Sequence, residues 1–220
     1  LLAPTAKSLE GRHFLVTAGA TIEAIDPVRF ISNHSSGKMG YAIAGELAAR
    51  GARVTLVSGR TALACPEGVE RVDVLSAEEM YRAATEAFDA CDGAVMCAAV
   101  ADYTPEQVSA TKLRKGDGEL VIRLRRTHDI AAELGARKEG RLLVGFALET
   151  DDEEAHAEQK LARKHFDFIV LNSLRDAGAG FRGDTNKVTF IDRTGREPLP
   201  LLTKREVAGR IVDRIEKLLK

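Results

Sequence analysis

No apolar run in this 220-residue chain approaches the roughly 18–20 residues needed to cross a bilayer. The N-terminus carries no signal-peptide pattern. No membrane role is expected, and a cytoplasmic location is. Cysteine is scarce: Cys65, Cys91 and Cys97 are an odd number without a C-x-x-C pair. That predicts reduced thiols and argues against a zinc site. Neither sign of charge dominates, since 32 Lys and Arg stand against 33 Asp and Glu, a formal net charge of −1. No global basic field therefore points to nucleic acid. Internal repeats and low-complexity stretches are missing too. What remains is an ordinary globular composition, 45% hydrophobic and 30% charged, in a chain long enough for one domain with a substantial core. The opening "LLAPTAKSLEGRH" lacks a Met and reads as a linker cut from a longer polypeptide. Residues 1–10 are accordingly expected to be linker-like, and residues 11–220 to form a single domain.

Several nucleotide-binding signatures are also absent. A Walker A loop needs Gly five residues before its Gly-Lys and Ser or Thr after it, but Ser32 and Met39 occupy those positions. The G-x-G-x-x-G fingerprint fails after Gly19, where Ala20, Thr21 and Ile22 follow. Ser35 and Lys38 make an S-x-x-K, but the companion penicillin-binding motifs are missing. None of Tyr41, Tyr81 or Tyr103 has a Lys four residues on. The Tyr/Lys pair of short-chain dehydrogenases is therefore absent.

Apolar strands alternating with amphipathic helices are present throughout. Strand-like runs fall at 13–18, 53–59, 69–74, 93–101, 141–149 and 167–172. Helices are expected from about Gly37 to Arg50, from Ser76, around 152–165 and from Thr203. Ser76/Glu79 and Thr203/Glu206 have capping-box spacing. This predicts an α/β fold: a Rossmann-like, doubly wound, mainly parallel sheet with helices on both faces. Two segments break the rhythm. "ELVIRLRR" (119–126) suits a half-exposed strand after a charged flap at Thr111–Gly118, and 187–202 reads as a hairpin-like antiparallel extension turning at Asp192–Gly195.

In such a sheet, ligands bind beyond the C-terminal strand ends, near helix N-termini, where free N–H groups and the helix dipole attract anions. "TAGAT" (17–21) and "NHSSGK" (33–38) should both sit at that mouth. The plainer alternative is a loop whose Ser caps a helix and binds nothing.

The blocks "DPVRFISNHSSGKMGYAIA" (26–44), "CAAVADYTP" (97–105), "KLRK" (112–115), "GFALET" (145–150) and "FRGDTNKVTFI" (181–191) occur in that order. Together they closely resemble the phosphopantothenate–cysteine ligase domain of bacterial bifunctional coenzyme A biosynthesis proteins. The resemblance extends from about Gly11 to the end of the chain. It implies that 4′-phosphopantothenate is activated by CTP to an acyl-cytidylate with loss of pyrophosphate. L-cysteine then displaces CMP. By motif position it implies Asn33 and Lys112 as catalytic residues, Lys112 on a mobile flap. Nucleotide contacts fall to Gly19, Ser35, Ser36, Gly37, Met96, Cys97, Ala98, Asp102, Lys112, His128, Asp129, Ile130, Ala131, Phe146, Lys160 and Lys164. Asn33 and Ala99 would hold the acyl substrate, Asn33 by donating its amide. Lys38 is expected to be structural, and Cys97 a buried small hydrophobe.

The same resemblance implies Mg²⁺ on the nucleotide, with its direct protein ligands unknown, and a homodimer. It also implies fusion to a flavin-dependent decarboxylase, which would bring FMN only with that half. The chain departs from the family pattern at Ala20, where a second Gly is usual, and at His128, where Pro is common. Two other classes stay open: a non-catalytic nucleotide-sensing domain of Rossmann type, and an NAD(P)-dependent oxidoreductase, which the missing fingerprint disfavours.

Overall fold

The computed structural model describes residues 7–116, 118–149, 152–173 and 183–220. Residues 1–6 of the linker-like segment, Asp117 of the flap, and Thr150, Phe181 and Arg182 of the family blocks lie outside the described residues. In chain order the elements are β1 (His13–Ala18), β2 (Ile22–Ala24), β3 (Phe30–Ser32), α1 (Lys38–Ala49), β4 (Arg53–Ser58), β5 (Val69–Asp73), α2 (Ala77–Phe88) and β6 (Gly93–Met96). There follow β7 (Tyr103–Pro105), β8 (Leu124–Arg126), α3 (Ile130–Ala136), β9 (Leu142–Glu149), α4 (Glu153–Arg163), β10 (Phe168–Ser173), β11 (Thr185–Asn186), β12 (Val188–Asp192), β13 (Gly195–Pro198), β14 (Leu202–Thr203) and α5 (Lys204–Leu218).

One eight-stranded sheet runs β13-β12-β10-β9-β6-β1-β4-β5. The strands from β5 to β10 pair parallel. At the other edge β12 and β13 join antiparallel. Successive strand residues face opposite sides, and β1 shows the consequence. Phe14, Val16 and Ala18 enter one core with Val54, Leu56 and Phe168, beneath Ile43 and Leu47 of α1 and Val207, Ile211 and Ile215 of α5. Leu15 enters the other with Val57, Leu143 and Ile169, beneath Met80 and Phe88 of α2, Leu134 of α3 and Leu161 of α4. Full burial of each large apolar side chain contributes roughly 1.5–3 kcal/mol. The helices thus cover both faces, as the alternating pattern predicts.

Helix ends follow local chemistry. At α1 the Ala52 N–H reaches the Leu47 carbonyl and the Gly51 N–H the Ala48 carbonyl, a Schellman stop. It needs the left-handed backbone of Gly51, φ 91°. At α5 the expected capping box is complete: Thr203 Oγ1 accepts from Glu206 N and Glu206 Oε2 accepts from Thr203 N. At α2 Ser76 accepts from Glu79 N, but Glu79 reaches back to Leu75 N instead of Ser76 N.

The structure departs from the sequence expectations in several places. The run 93–101 is strand only to Met96, because β6 pairs with Phe14–Thr17 of β1 and its register ends there. Of 119–126 only Leu124–Arg126 pairs, with β7; Leu120 and Val121 stand exposed at 58% and 78%. The expected antiparallel hairpin is present as β12 and β13, and it extends the main sheet at its edge. The long loop after β1 contains the β2–β3 ribbon, and 130–136 forms a helix that the sequence reading did not include. Leu9 is buried in the α1/α5 core, so packing reaches back to that residue.

Candidate functional site

A cleft of about 920 Å³ opens at the C-terminal ends of the parallel strands. Asn33, Ser35, Ser36 and Gly37 line it from the loop between β3 and α1. Met96, Cys97, Ala98, Ala99 and Asp102 line it from the chain leaving β6, and His128, Asp129, Ile130 and Ala131 from the start of α3. Phe146 comes from β9, and Lys160 and Lys164 from the end of α4. Every expected site residue except Gly19 and Lys112 therefore faces one space.

The polar run does not cap its helix. The N-cap of α1 is Gly37, at φ 78°, and it makes no side-chain cap hydrogen bond. Ser35 Oγ accepts instead from Gly37 N at 3.3 Å. An N-terminus left without a side-chain cap offers its amides to a ligand. Gly40 seats this helix start. A Cβ there would lie 2.6 Å from Ala18 Cβ, so only glycine lets α1 approach the end of β1 so closely. Gly19 stands behind the cleft wall, where its carbonyl accepts from Ala99 N at 2.8 Å. Ala20 makes backbone bridges to Arg60 and Ala99 without positive φ, so alanine fits that position without strain.

The chain from Cys97 to Asp102 is pinned on three sides. Thr17 Oγ1 accepts from Ala98 N at 3.2 Å, Thr21 Oγ1 accepts from Ala101 N at 3.0 Å, and Thr127 Oγ1 donates to Ala101 O at 2.7 Å. Asn33 completes the clamp: its Nδ2 lies 3.2 Å from both the Ala99 and the Val100 carbonyl oxygens. The amide donors thus face the backbone, and Oδ1 is the remaining polar atom. The amide expected to donate to substrate here donates to the backbone of the segment that carries Ala99. Cys97 is half-buried on the cleft wall and not the fully buried side chain expected; desolvation pushes its thiol up to about 12, which favours the protonated form.

Charge is concentrated at the rim. Lys164 Nζ donates to Asp129 Oδ1 at 2.8 Å, and Asp129 also caps α3 through Ala132 N at 3.1 Å. Burial works to raise the Asp129 pKa, but Lys164 and the Ala132 amide outweigh it and hold the carboxyl below its ordinary value. His128 stacks on Tyr81 at 4.5 Å between ring centroids and lies 3.6 Å from Glu78, so its ring is occupied by α2.

The sequence reading missed a further corner of the same cleft, made by Lys38, Asn172, Asn186 and Lys204. Lys38 Nζ pairs with Asp184 at 2.6 Å, and the nearly buried Lys204 donates to the Gly183 carbonyl at 2.5 Å. Burial, then the charge of Lys38, depresses the Lys204 pKa. Asn172 Oδ1 is buried and has no hydrogen-bond partner among the described residues, an acceptor that a bound ligand could satisfy. One signal for Lys204 was legible: a Lys in the first turn of a helix opposes the dipole.

Lys112 is exposed and does not line the cleft. Among the described residues no group of three or more His, Cys, Asp or Glu is placed to hold a metal, and no helix is long and apolar enough to cross a membrane.

The family model described as "DNA/pantothenate metabolism flavoprotein C-terminal domain" matches residues 9–219. The chain is 54% identical over 214 residues to a cysteine/cysteine sulfinic acid decarboxylase from an unknown prokaryotic organism, covering 96% of this chain and 60% of that one. It is 47% identical over 218 residues to the Coenzyme A biosynthesis bifunctional protein CoaBC of Bacillus subtilis (strain 168), covering 98% and 54%. It thus spans little more than half the length of these relatives. The crystal structure of the C-terminal domain of a Coenzyme A biosynthesis bifunctional protein CoaBC superposes with a TM-score of 0.84 at 45% identity, covering 97% of this chain and 98% of that chain.

Proposed function

Because the chain belongs to the DNA/pantothenate metabolism flavoprotein C-terminal domain family, we propose that it is a phosphopantothenate–cysteine ligase of coenzyme A biosynthesis. The observation that carries this reading is the convergence on one cleft of residues scattered from Asn33 to Lys164. They are the residues that the family motifs assign to nucleotide and acyl substrate. A carboxylate is inert toward an amine at neutral pH because its leaving group is poor. In the first step a carboxylate oxygen of 4′-phosphopantothenate attacks the α-phosphorus of CTP, and the bond to pyrophosphate breaks. In the second the cysteine amine attacks the acyl carbon, loses a proton, and CMP leaves with the bonding electrons.

Catalysis here is positioning and charge stabilisation. The α1 amides and Ser35, Ser36 and Gly37 receive phosphate oxygens. Lys160 and Lys164 supply positive charge, Asp102 accepts nucleotide hydrogens, and Phe146 borders the nucleotide. Ala99, held by Asn33, presents its backbone to the acyl group. Lys112 approaches from the flap as charge grows on the phosphates. Mg²⁺ bound with the nucleotide would neutralise phosphate charge, held by the substrate phosphates and water, its direct protein ligands unassigned.

A homodimer belongs to the same proposal. It is supported by exposed Val28, Phe30, Tyr103, Val108 and Leu124 on and beside the small ribbons. Fusion to a flavin-dependent decarboxylase, with FMN in that half, is part of it as well. It accords with the length of the bifunctional relative.

The test is turnover with 4′-phosphopantothenate, L-cysteine and either CTP or ATP. Coupled product with stoichiometric pyrophosphate is expected, with CTP favoured at least about tenfold in kcat/KM. CTP binding without turnover in any mixture would leave a nucleotide sensor. Tight NADPH binding without CTP binding would point to an oxidoreductase.

A further inference from the structure

The turn between β2 and β3 holds a carboxylate with more partners than a turn needs. Asp26 is buried. Its Oδ1 accepts from the backbone N–H groups of Val28 and Arg29, both at 2.8 Å, and these two bonds suffice to close the turn. Its Oδ2 accepts from Arg29 Nε at 2.9 Å and Nη2 at 2.6 Å. It also accepts from the Leu113 N–H at 3.1 Å, across 87 residues of chain. Arg29 Nη2 donates in turn to the Leu113 carbonyl at 2.6 Å. A single residue of the flap segment, itself without regular structure from 106 to 116, is thus held by its own donor and its own acceptor. Burial works against the ionised carboxylate, but the three backbone donors and Arg29 overcome it and keep the group far below the ordinary carboxylate range.

The position of this contact matters more than its strength. Leu113 follows Lys112 directly. Arg29 leads straight into β3, which ends one residue before Asn33. The flap residue given a catalytic role above therefore hangs from a buried carboxylate that it does not touch. We propose that Asp26 is a positioning residue for the ligase reaction: it fixes the root of the flap beside Lys112 by tying that root to the β2–β3 turn. The proposal rests on the catalytic reading of Lys112. A flap whose root drifts presents its ammonium over a wider volume, and displacement of about 1 Å at a reacting group is enough to lower a rate about 10²-fold.

The experiment compares Asp26→Asn, Lys112→Gln and the double variant, with backbone hydrogen exchange read at Leu113 and thermal unfolding as a check on folding. Asp26→Asn is expected to speed Leu113 exchange at least about tenfold and to lower kcat at least about tenfold, with KM for CTP little changed. The double variant should be no slower than Lys112→Gln alone, because Asp26 acts through Lys112. A second variant, Leu113→Pro, deletes the same N–H from the flap side without disturbing the buried turn. It should repeat the kcat loss at an unchanged melting temperature. Unchanged Leu113 protection in Asp26→Asn overturns the proposal, and so does a double variant whose loss is the product of the two single losses. Wild-type turnover by Lys112→Gln instead overturns the catalytic reading of Lys112, and the separate exchange measurement tells that failure apart from failure of the anchor.

Discussion

Asn33 Nδ2 donates to the Ala99 carbonyl oxygen at 3.2 Å, so the two residues assigned to the acyl substrate are bonded to each other across 66 residues of sequence. In Asn33→Asp, an acceptor oxygen replaces a donor against the Ala99 and Val100 carbonyls, beside anionic substrate. At an effective dielectric constant near 20, a like charge at about 4 Å costs on the order of 4 kcal/mol. Turnover should fall more than about 10²-fold. Circular dichroism and CTP binding should stay close to wild type. A fully active variant would reduce the clamp to loop packing.

Lys112→Gln removes the flap ammonium from an exposed position. With charge developing on the phosphates, kcat should drop roughly 10²–10³-fold with the fold intact. Protection of 111–116 from proteolysis on adding CTP would accompany a closing flap. Near wild-type turnover would make Lys112 a solvated surface charge.

Asp129 gives a pH signature. Its folded carboxyl titrates below its ordinary value, so between the two values the unfolded chain binds a proton that the folded chain does not. The stability it contributes is complete above roughly pH 5 and is lost as pH falls through the folded value. Asp129→Asn keeps an oxygen for the α3 cap but loses the charge facing Lys164. Urea unfolding should show the variant less stable than wild type at pH 6, with the gap closing below about pH 4. A gap that stays constant to low pH would count against the ion pair.

Thr203→Ala opens the capping box of α5. A loss of about 1 kcal/mol is expected, seen as a lower urea midpoint with unchanged slope. No change in midpoint would mean that burial of Val207 and Ile211 sets this helix start by itself.

The main sheet was legible because its strands are buried on both faces and so read as continuous apolar runs, as in Phe14–Ala18 and Leu142–Leu148. The Thr203 cap was legible because its bonds are local. The β2–β3 ribbon was not: "TIEAIDPVRFIS" contains a proline and charges, and side-chain bonds of Asp26 and Ser32 join its two short strands. Helix α3 is seven residues long, too short for helical periodicity to stand out. The corner holding Lys38 and Lys204 joins residues 166 positions apart, and only the folded topology brings them together. Asn33 shows the finer limit. Motif position assigned it to the cleft, but the direction of its amide depends on where the Ala99 and Val100 carbonyls turn out of β6.

The two outer strands of the sheet bear on how this protein meets other chains. An open edge is a template on which a foreign strand can add, and addition repeated from molecule to molecule makes a fibril. At one edge all four residues of β13 are exposed. Pro198 brings no N–H, while Arg196 leans across to Glu158 at 2.6 Å. At the other edge β5 carries Glu70, Arg71 and Asp73, with Glu70 paired to Arg53 at 3.2 Å and Arg71 to Asp73. An incoming strand would have to strip water from those charges at one side and would meet a missing donor at the other. Recruitment through the sheet is thereby discouraged at both ends, and association is left to side-chain surfaces, which can saturate at a pair.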